Sequence, residues 1–139
     1  MFSCDATCRE VLNRCLYPPT PPPVINARVQ ETIETQQIDV LYTTMTTIDY
    51  VNWISSVRVG YTQAAIGFEA VIDLTSLNIR LINQTTNQIL GVLSGISVSG
   101  FYQMPFTLPT ANARLVIEVS KSAGLGSNPQ IFGISMLLQ

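Results

Sequence analysis

The sequence predicts an all-β sandwich of about eight strands, preceded by a short cysteine-bearing arm. Three observations carry that prediction. From residue 24 onward, β-branched residues, Tyr and Phe recur in short alternating runs, with turn-forming Gly, Asn, Ser and Pro roughly every 8–12 residues, the rhythm of packed antiparallel sheets. No long stretch of this region keeps the period of an amphipathic helix. All three cysteines, Cys4, Cys8 and Cys15, fall in the first fifteen residues, and a proline run separates them from everything that follows.

The chain therefore divides into an arm over residues 1–16, a spacer over 17–23 and a jelly-roll-like sandwich domain over 24–139. In the arm, Ser3 or Asp5 can cap a short helix, with Val11, Leu12 and Leu16 as a weak apolar stripe. A helix of that length is marginal alone in water and needs a partner to be ordered. The spacer "YPPTPPP" holds Pro18, Pro19, Pro21, Pro22 and Pro23. Proline fixes φ and removes the amide donor, so these residues favour a polyproline II rod of roughly 20 Å.

In the sandwich, "RVQETIE" and "IDVLYTTM" read as the first strands, and "NWISSVRVGYT" as another with Trp53, Val57 and Val59 inward. "FEAVIDL" places Phe68, Ala70, Ile72 and Leu74 on one face and Glu69, Val71 and Asp73 on the other. "NIRLIN" and "QILGVL" flank "QTTN", a hairpin turn. Pro105 in "YQMPFTL" marks an edge strand or a bulge. In "ARLVIEVS", Leu115, Ile117 and Val119 point one way and Arg114, Glu118 and Ser120 the other. "KSAGLGSNPQ" is a loop, and "IFGISMLL" closes the sandwich with Phe132, Ile134, Met136 and Leu138 inward.

Composition narrows the functional classes. At 139 residues there is room for one core. Apolar residues make up 47% and charged residues 12%, with a net charge of −2. Nucleic acid would call for a basic patch and a membrane surface for a polybasic segment, so neither partner is expected. A surface this poor in charge suits a subunit covered by copies of itself. The sequence contains no histidine, which removes Ser-His-Asp and Cys-His catalysis and histidine-containing zinc sites. Asp5, Arg9, Glu10 and Arg14 interrupt the N-terminus before a secretory apolar core can form, so synthesis is expected in a reducing cytosol.

Among chemistry-bearing constellations, the cysteines come first. Their i, i+4, i+11 spacing puts all three on roughly one helical face. Three readings stay open: inter-subunit disulfides, free thiols, and a metal or redox relay. A structural zinc site usually takes four ligands, often from a C-x-x-C knuckle, and the arm offers neither. Three thiols cannot pair off within one chain. Glu69 and Asp73 would lie about 13 Å apart along a strand, too far for a glycosidase pair. The loop "SAGLGSN" lacks the phosphate-binding pattern, and "NQT" at Asn83 is a glycosylation sequon that needs a secretory route. Trp53 reads as core, and Tyr17, Tyr42, Tyr50, Tyr61 and Tyr102 form no visible sugar platform. No nucleophile–base pair, metal cluster or cofactor motif is present, so neither an enzyme nor a cofactor is expected.

An arm that opens "MFSCD" with further cysteines nearby, a proline spacer and a compact, charge-poor β sandwich together resemble the subunits of bacterial endospore appendages. The opening is also similar to the start of exosporium basal-layer proteins. The resemblance covers residues 1–23 and the general β pattern. It implies jelly-roll subunits that polymerise by edge-strand pairing, with N-terminal connectors that reach into neighbouring subunits and form disulfides there. One departure matters: connector thiols in that family bond to cysteines in the neighbour's sandwich, and this chain has none beyond Cys15. A covalent link through Cys4, Cys8 or Cys15 must then join arm to arm, or arm to a different surface protein. The expectation is a structural, self-assembling homo-oligomeric subunit of an extracellular fibre or coat. It would be made in the cytosol without a signal peptide and oxidised at a spore or virion surface. The alternative is a carbohydrate-binding or viral capsid or decoration module.

Overall fold

A computed structural model describes Ile25 and residues 27–124 and 126–139. Its nine strands are β1 (Val29–Glu34), β2 (Ile38–Asp39), β3 (Thr46–Trp53), β4 (Ala64–Val71), β5 (Leu77–Asn83), β6 (Gln88–Ile96), β7 (Gly100–Phe106), β8 (Ala113–Lys121) and β9 (Gln130–Leu138). They form two antiparallel sheets, one in the order β1-β9-β4-β7 with β2 also paired to β9, the other in the order β3-β8-β5-β6. Because β1 and β2 both lie along β9, they act as one interrupted strand. The remaining order is that of an eight-stranded jelly roll, in which successive strands cross between two facing sheets except at the β5–β6 hairpin.

Alternation explains the core. On β8, Leu115, Ile117 and Val119 are buried between the sheets, as the sequence predicts, with Arg114, Glu118 and Ser120 on the outer side. On β4 and β5, Ile66, Phe68 and Ala70 face Leu77, Ile79 and Leu81 through the same core. Trp53 closes one end, edge-on to Phe106 with ring centroids 6.3 Å apart. The predicted hairpin joins β5 to β6: Asn83 Oδ1 accepts the amides of Thr85 and Thr86 at 3.0 and 3.2 Å, and Asn87 takes the left-handed conformation that Asn tolerates.

Pro105 lies on β7, which is an edge strand paired only to β4, so its missing amide breaks no ladder. Its carbonyl oxygen packs against Gly91 of β6 so closely that a Cβ there would collide with it. Thr107 then donates its amide to the Leu90 carbonyl at 3.0 Å, drawing the two sheets together at this corner.

Four expectations are corrected. "IDVLYTTM" is not one strand: pairing stops after Asp39, Val40 is buried, and Leu41 and Tyr42 are exposed before β3 begins at Thr46. Val57 and Val59 are not core residues. The chain turns after Trp53, with Val57 and Arg58 donating amides to the Ile54 and Ser55 carbonyls, and leaves Val59 78% exposed. Leu74 is 77% exposed because β4 ends at Val71 and Leu74 itself has a positive φ of 53°, which ends the alternation. Phe132 is only half-buried. Gly67 pairs with Ser135 but Glu69 pairs with Phe132, so β9 carries one extra residue at Gly133 (φ 56°), and this bulge turns Ile131 inward in place of Phe132.

Two glycines therefore carry different steric demands. Gly133→Ala should cost about 1 kcal/mol for the left-handed backbone. Gly91→Ala should cost about 3 kcal/mol, since a backbone oxygen must move. Denaturant unfolding of the two variants checks this order, and equal effects would contradict it.

Candidate functional site

The segment entering the sandwich lies across the outer face of the five-stranded sheet. Arg28 donates its amide to the Leu138 carbonyl at 2.7 Å, which starts the β1 ladder beside β9. Three residues upstream, Ile25 has crossed toward β7, where its amide donates to Gln103 Oε1 at 3.0 Å. Its side chain is buried on Ala65 of β4 and Leu137 of β9, forming a small apolar cluster separate from the main core.

The face is shaped for this crossing. Alternation sends Ala65 and Gly67 of β4, and Ser135 and Leu137 of β9, to the outer side. With so little side chain there, the sheet surface is low enough for a second layer of backbone to rest on it. Gly67 leaves room for Leu137: a Cβ at position 67 would meet Leu137 Cδ1 at 3.0 Å. Beyond Ile25 a groove of about 660 Å³ continues over Gly67, Gly133 and Ser135, walled by Gln30, Gln103 and Phe101. Gln30 Nε2 donates to Ser135 Oγ at 3.3 Å. Phe101 stands 83% exposed at the rim. On the far side of Ile25 a second hollow is lined by Thr62, Gln63, Pro105 and Phe106.

The residues flagged in the sequence, and the other acidic side chains, fall elsewhere. Glu69 lies on the outer face of β4 across from Phe101, and Asp73 lies in the following turn. Asp39 accepts from Gln37 Nε2 at 2.9 Å, and Asp49 caps the amide of Tyr50 at 2.8 Å. Glu118 accepts Arg80 Nε at 2.7 Å. Among the described residues no three acidic or thiol groups converge as a metal site. The glycines of "SAGLGSN" answer a steric need, since a Cβ on Gly124 would lie 2.7 Å from the Leu74 carbonyl oxygen. The Asn83 side chain is buried and occupied in its turn. Tyr102 stacks on Phe68 at 5.8 Å, and Tyr61 lies under Arg28.

Cys4, Cys8 and Cys15 lie outside the described residues, as do Pro18, Pro19, Pro21, Pro22 and Pro23. What the structure adds is the point to which they are joined. Sequence reasoning did not single out Ile25, Ala65, Leu137 or Phe101; the available signal was the run of small residues at outward positions of β4 and β9. Comparison with family models, with curated proteins and with solved structures gave no match.

Ile25→Ala removes most of the side chain that seals Ala65 and Leu137. It should lower stability by about 2 kcal/mol and speed proteolysis next to Arg28. Unchanged unfolding and cleavage would contradict the anchor.

Proposed function

We propose that this chain is a structural subunit that assembles with copies of itself into an extracellular fibre or coat, cross-linked through Cys4, Cys8 and Cys15. One observation supports it above the rest. The chain is fastened at Ile25 onto the outside of a sandwich in which no position carries a cysteine. Every thiol in the sequence belongs to a segment joined to the sandwich at its surface, and no disulfide can form within the sandwich itself. Residues 17–23, as a polyproline rod of roughly 20 Å, would set those thiols at a distance suited to a neighbour.

In this reading the sandwich supplies the packing surface and the arm supplies the covalent link. A link of this kind adds little intrinsic affinity. It raises the effective concentration of the second contact into the mM range and keeps a subunit that has let go from diffusing away. Synthesis in a reducing compartment keeps the thiols free until release, and oxidation then fixes the assembly. The free edge of β7 offers a further, non-covalent route to neighbours, with Pro105 limiting how far pairing can extend along it. No catalytic role and no cofactor enter this reading. The carbohydrate-binding alternative has two aromatics at the groove, Phe101, which is exposed, and Tyr102, whose ring is stacked on Phe68.

After air oxidation, non-reducing electrophoresis should give a ladder in steps of the 15.2 kDa chain. Reductant should collapse it to monomer, and the full chain with all three cysteines replaced by serine should give monomer under both conditions. Monomer from the oxidised native chain would overturn the reading.

A further inference from the structure

The outer face of the four-stranded sheet carries a row of apolar side chains that crosses every strand. The register aligns Tyr50 of β3 with Val116 of β8, Val116 with Ile82 of β5, and Ile82 with Ile89 of β6. All four lie at outward positions, opposite the alternating set that fills the core. Ile89, and Val92 one step along β6, are each 53% exposed. Tyr50 at the other end is 48% exposed, whereas Val116 between them is 5% exposed, already enclosed by its neighbours. Outward sheet positions in a solitary sandwich are ordinarily polar, and apolar side chains exposed at both ends of one row mark an interaction surface.

The flanks of the row point to what covers it. On β8, Arg114 lies one outward step to one side of Val116, and Glu118 one outward step to the other. Arg114 is held over the Tyr50 ring at 4.0 Å, and Glu118 is held by Arg80 at 2.7 Å. The face therefore reads cation, apolar, ion pair across its middle, with Glu118 supplying the one carboxylate. A two-fold axis lying along the apolar row brings Val116 onto its own mate. The same rotation exchanges the flanks, so that Arg114 of each copy faces Glu118 of the other. The strands of the two sheets then run nearly aligned, as in face-to-face sheet packing at about 10 Å.

We infer that this face binds a second copy of the chain, in an isologous sheet-on-sheet contact whose two-fold axis follows the row from Tyr50 to Ile89 and which is registered by reciprocal Arg114–Glu118 pairs. This contact is independent of the arm and would persist when every thiol is reduced. It differs from edge pairing, which would use the strand edges and leave this face uncovered.

The test uses the full chain in excess reductant, so that a failure of disulfide cross-linking cannot be mistaken for a failure of this contact. Sedimentation equilibrium at about 0.1 mM, where an association of micromolar strength is nearly complete, should give the mass of a dimer. Ile89→Lys changes an exposed position, so it should leave circular dichroism intact and weaken association at least tenfold. Arg114→Glu and Glu118→Arg should each weaken it at least tenfold on their own, since the flanks then carry like charges. Mixing those two variants in equal amounts should restore the dimer, because position 114 of each copy then again meets the opposite charge at position 118 of the other. A monomeric native chain would overturn the inference. So would a dimer indifferent to Ile89→Lys, or variants that dissociate and are not rescued by mixing. The last result would mean that another segment or protein covers the row.

Discussion

Strand β9 is hydrogen-bonded between β1 and β2 on one side and β4 on the other, so the end of the described chain orders its beginning. Its inward residues Ile131, Ile134, Met136 and Leu138 are fully buried and supply one side of the core. Its outward Leu137 supplies the seat for Ile25. Core, N-terminal strands and arm attachment thus depend on one ladder. The bulge at Gly133 lets that ladder serve both purposes. Without the extra residue, either Ile131 or Ile134 would be turned out of the core, because a one-residue slip exchanges the two faces of a strand.

The two outer faces answer different physical problems. On the five-stranded sheet, Ala65, Gly67 and Ser135 keep the surface low, and the entering chain covers part of it. On the four-stranded sheet, the outward positions of β8, β5 and β6 carry Val116, Ile82 and Ile89; Val116 is enclosed by its neighbours, and Ile89 stands 53% exposed. The low charged share has a structural location here. It reflects not only the core but sheet faces on which the outward half of the alternation is itself small or apolar. Such faces are stabilised by layering, whether by a chain segment or by another sheet.

The sequence was most readable where alternation ran without interruption. "ARLVIEVS" gave its inward and outward sets correctly because β8 is an interior strand with neighbours on both sides. The β5–β6 hairpin was readable because Asn83 and Asn87 carry its turn chemistry. Pro105, by its missing amide, restricted its strand to an edge or a bulge, and β7 lies at an edge. Alternation misled where the backbone left the extended region. Val57 and Val59 keep a strand's spacing within a pair of turns, Leu74 follows a break in φ, and Gly133 shifts the phase of β9. None of these changes the hydrophobic pattern, so pattern reasoning does not detect them.

The candidate site was only half readable. Clustered thiols and a proline rod are visible as chemistry in any linear reading. Their point of attachment was not, because Ile25 acquires meaning only when the fold brings Ala65 and Leu137 beneath it from distant parts of the chain. The row from Tyr50 to Ile89 was hidden in the same way, since each of its members sits on a different strand. An arm-borne link between subunits is tested most directly by mapping the cross-links in chains of two isotopic labels. Light- and heavy-nitrogen chains, mixed while reduced and then oxidised together, are digested without reductant and analysed by mass spectrometry. The expected products are disulfide-linked peptides bearing Cys4, Cys8 or Cys15 in which one partner is light and the other heavy. Linked peptides of a single label only, or thiols that all remain free, would contradict the link.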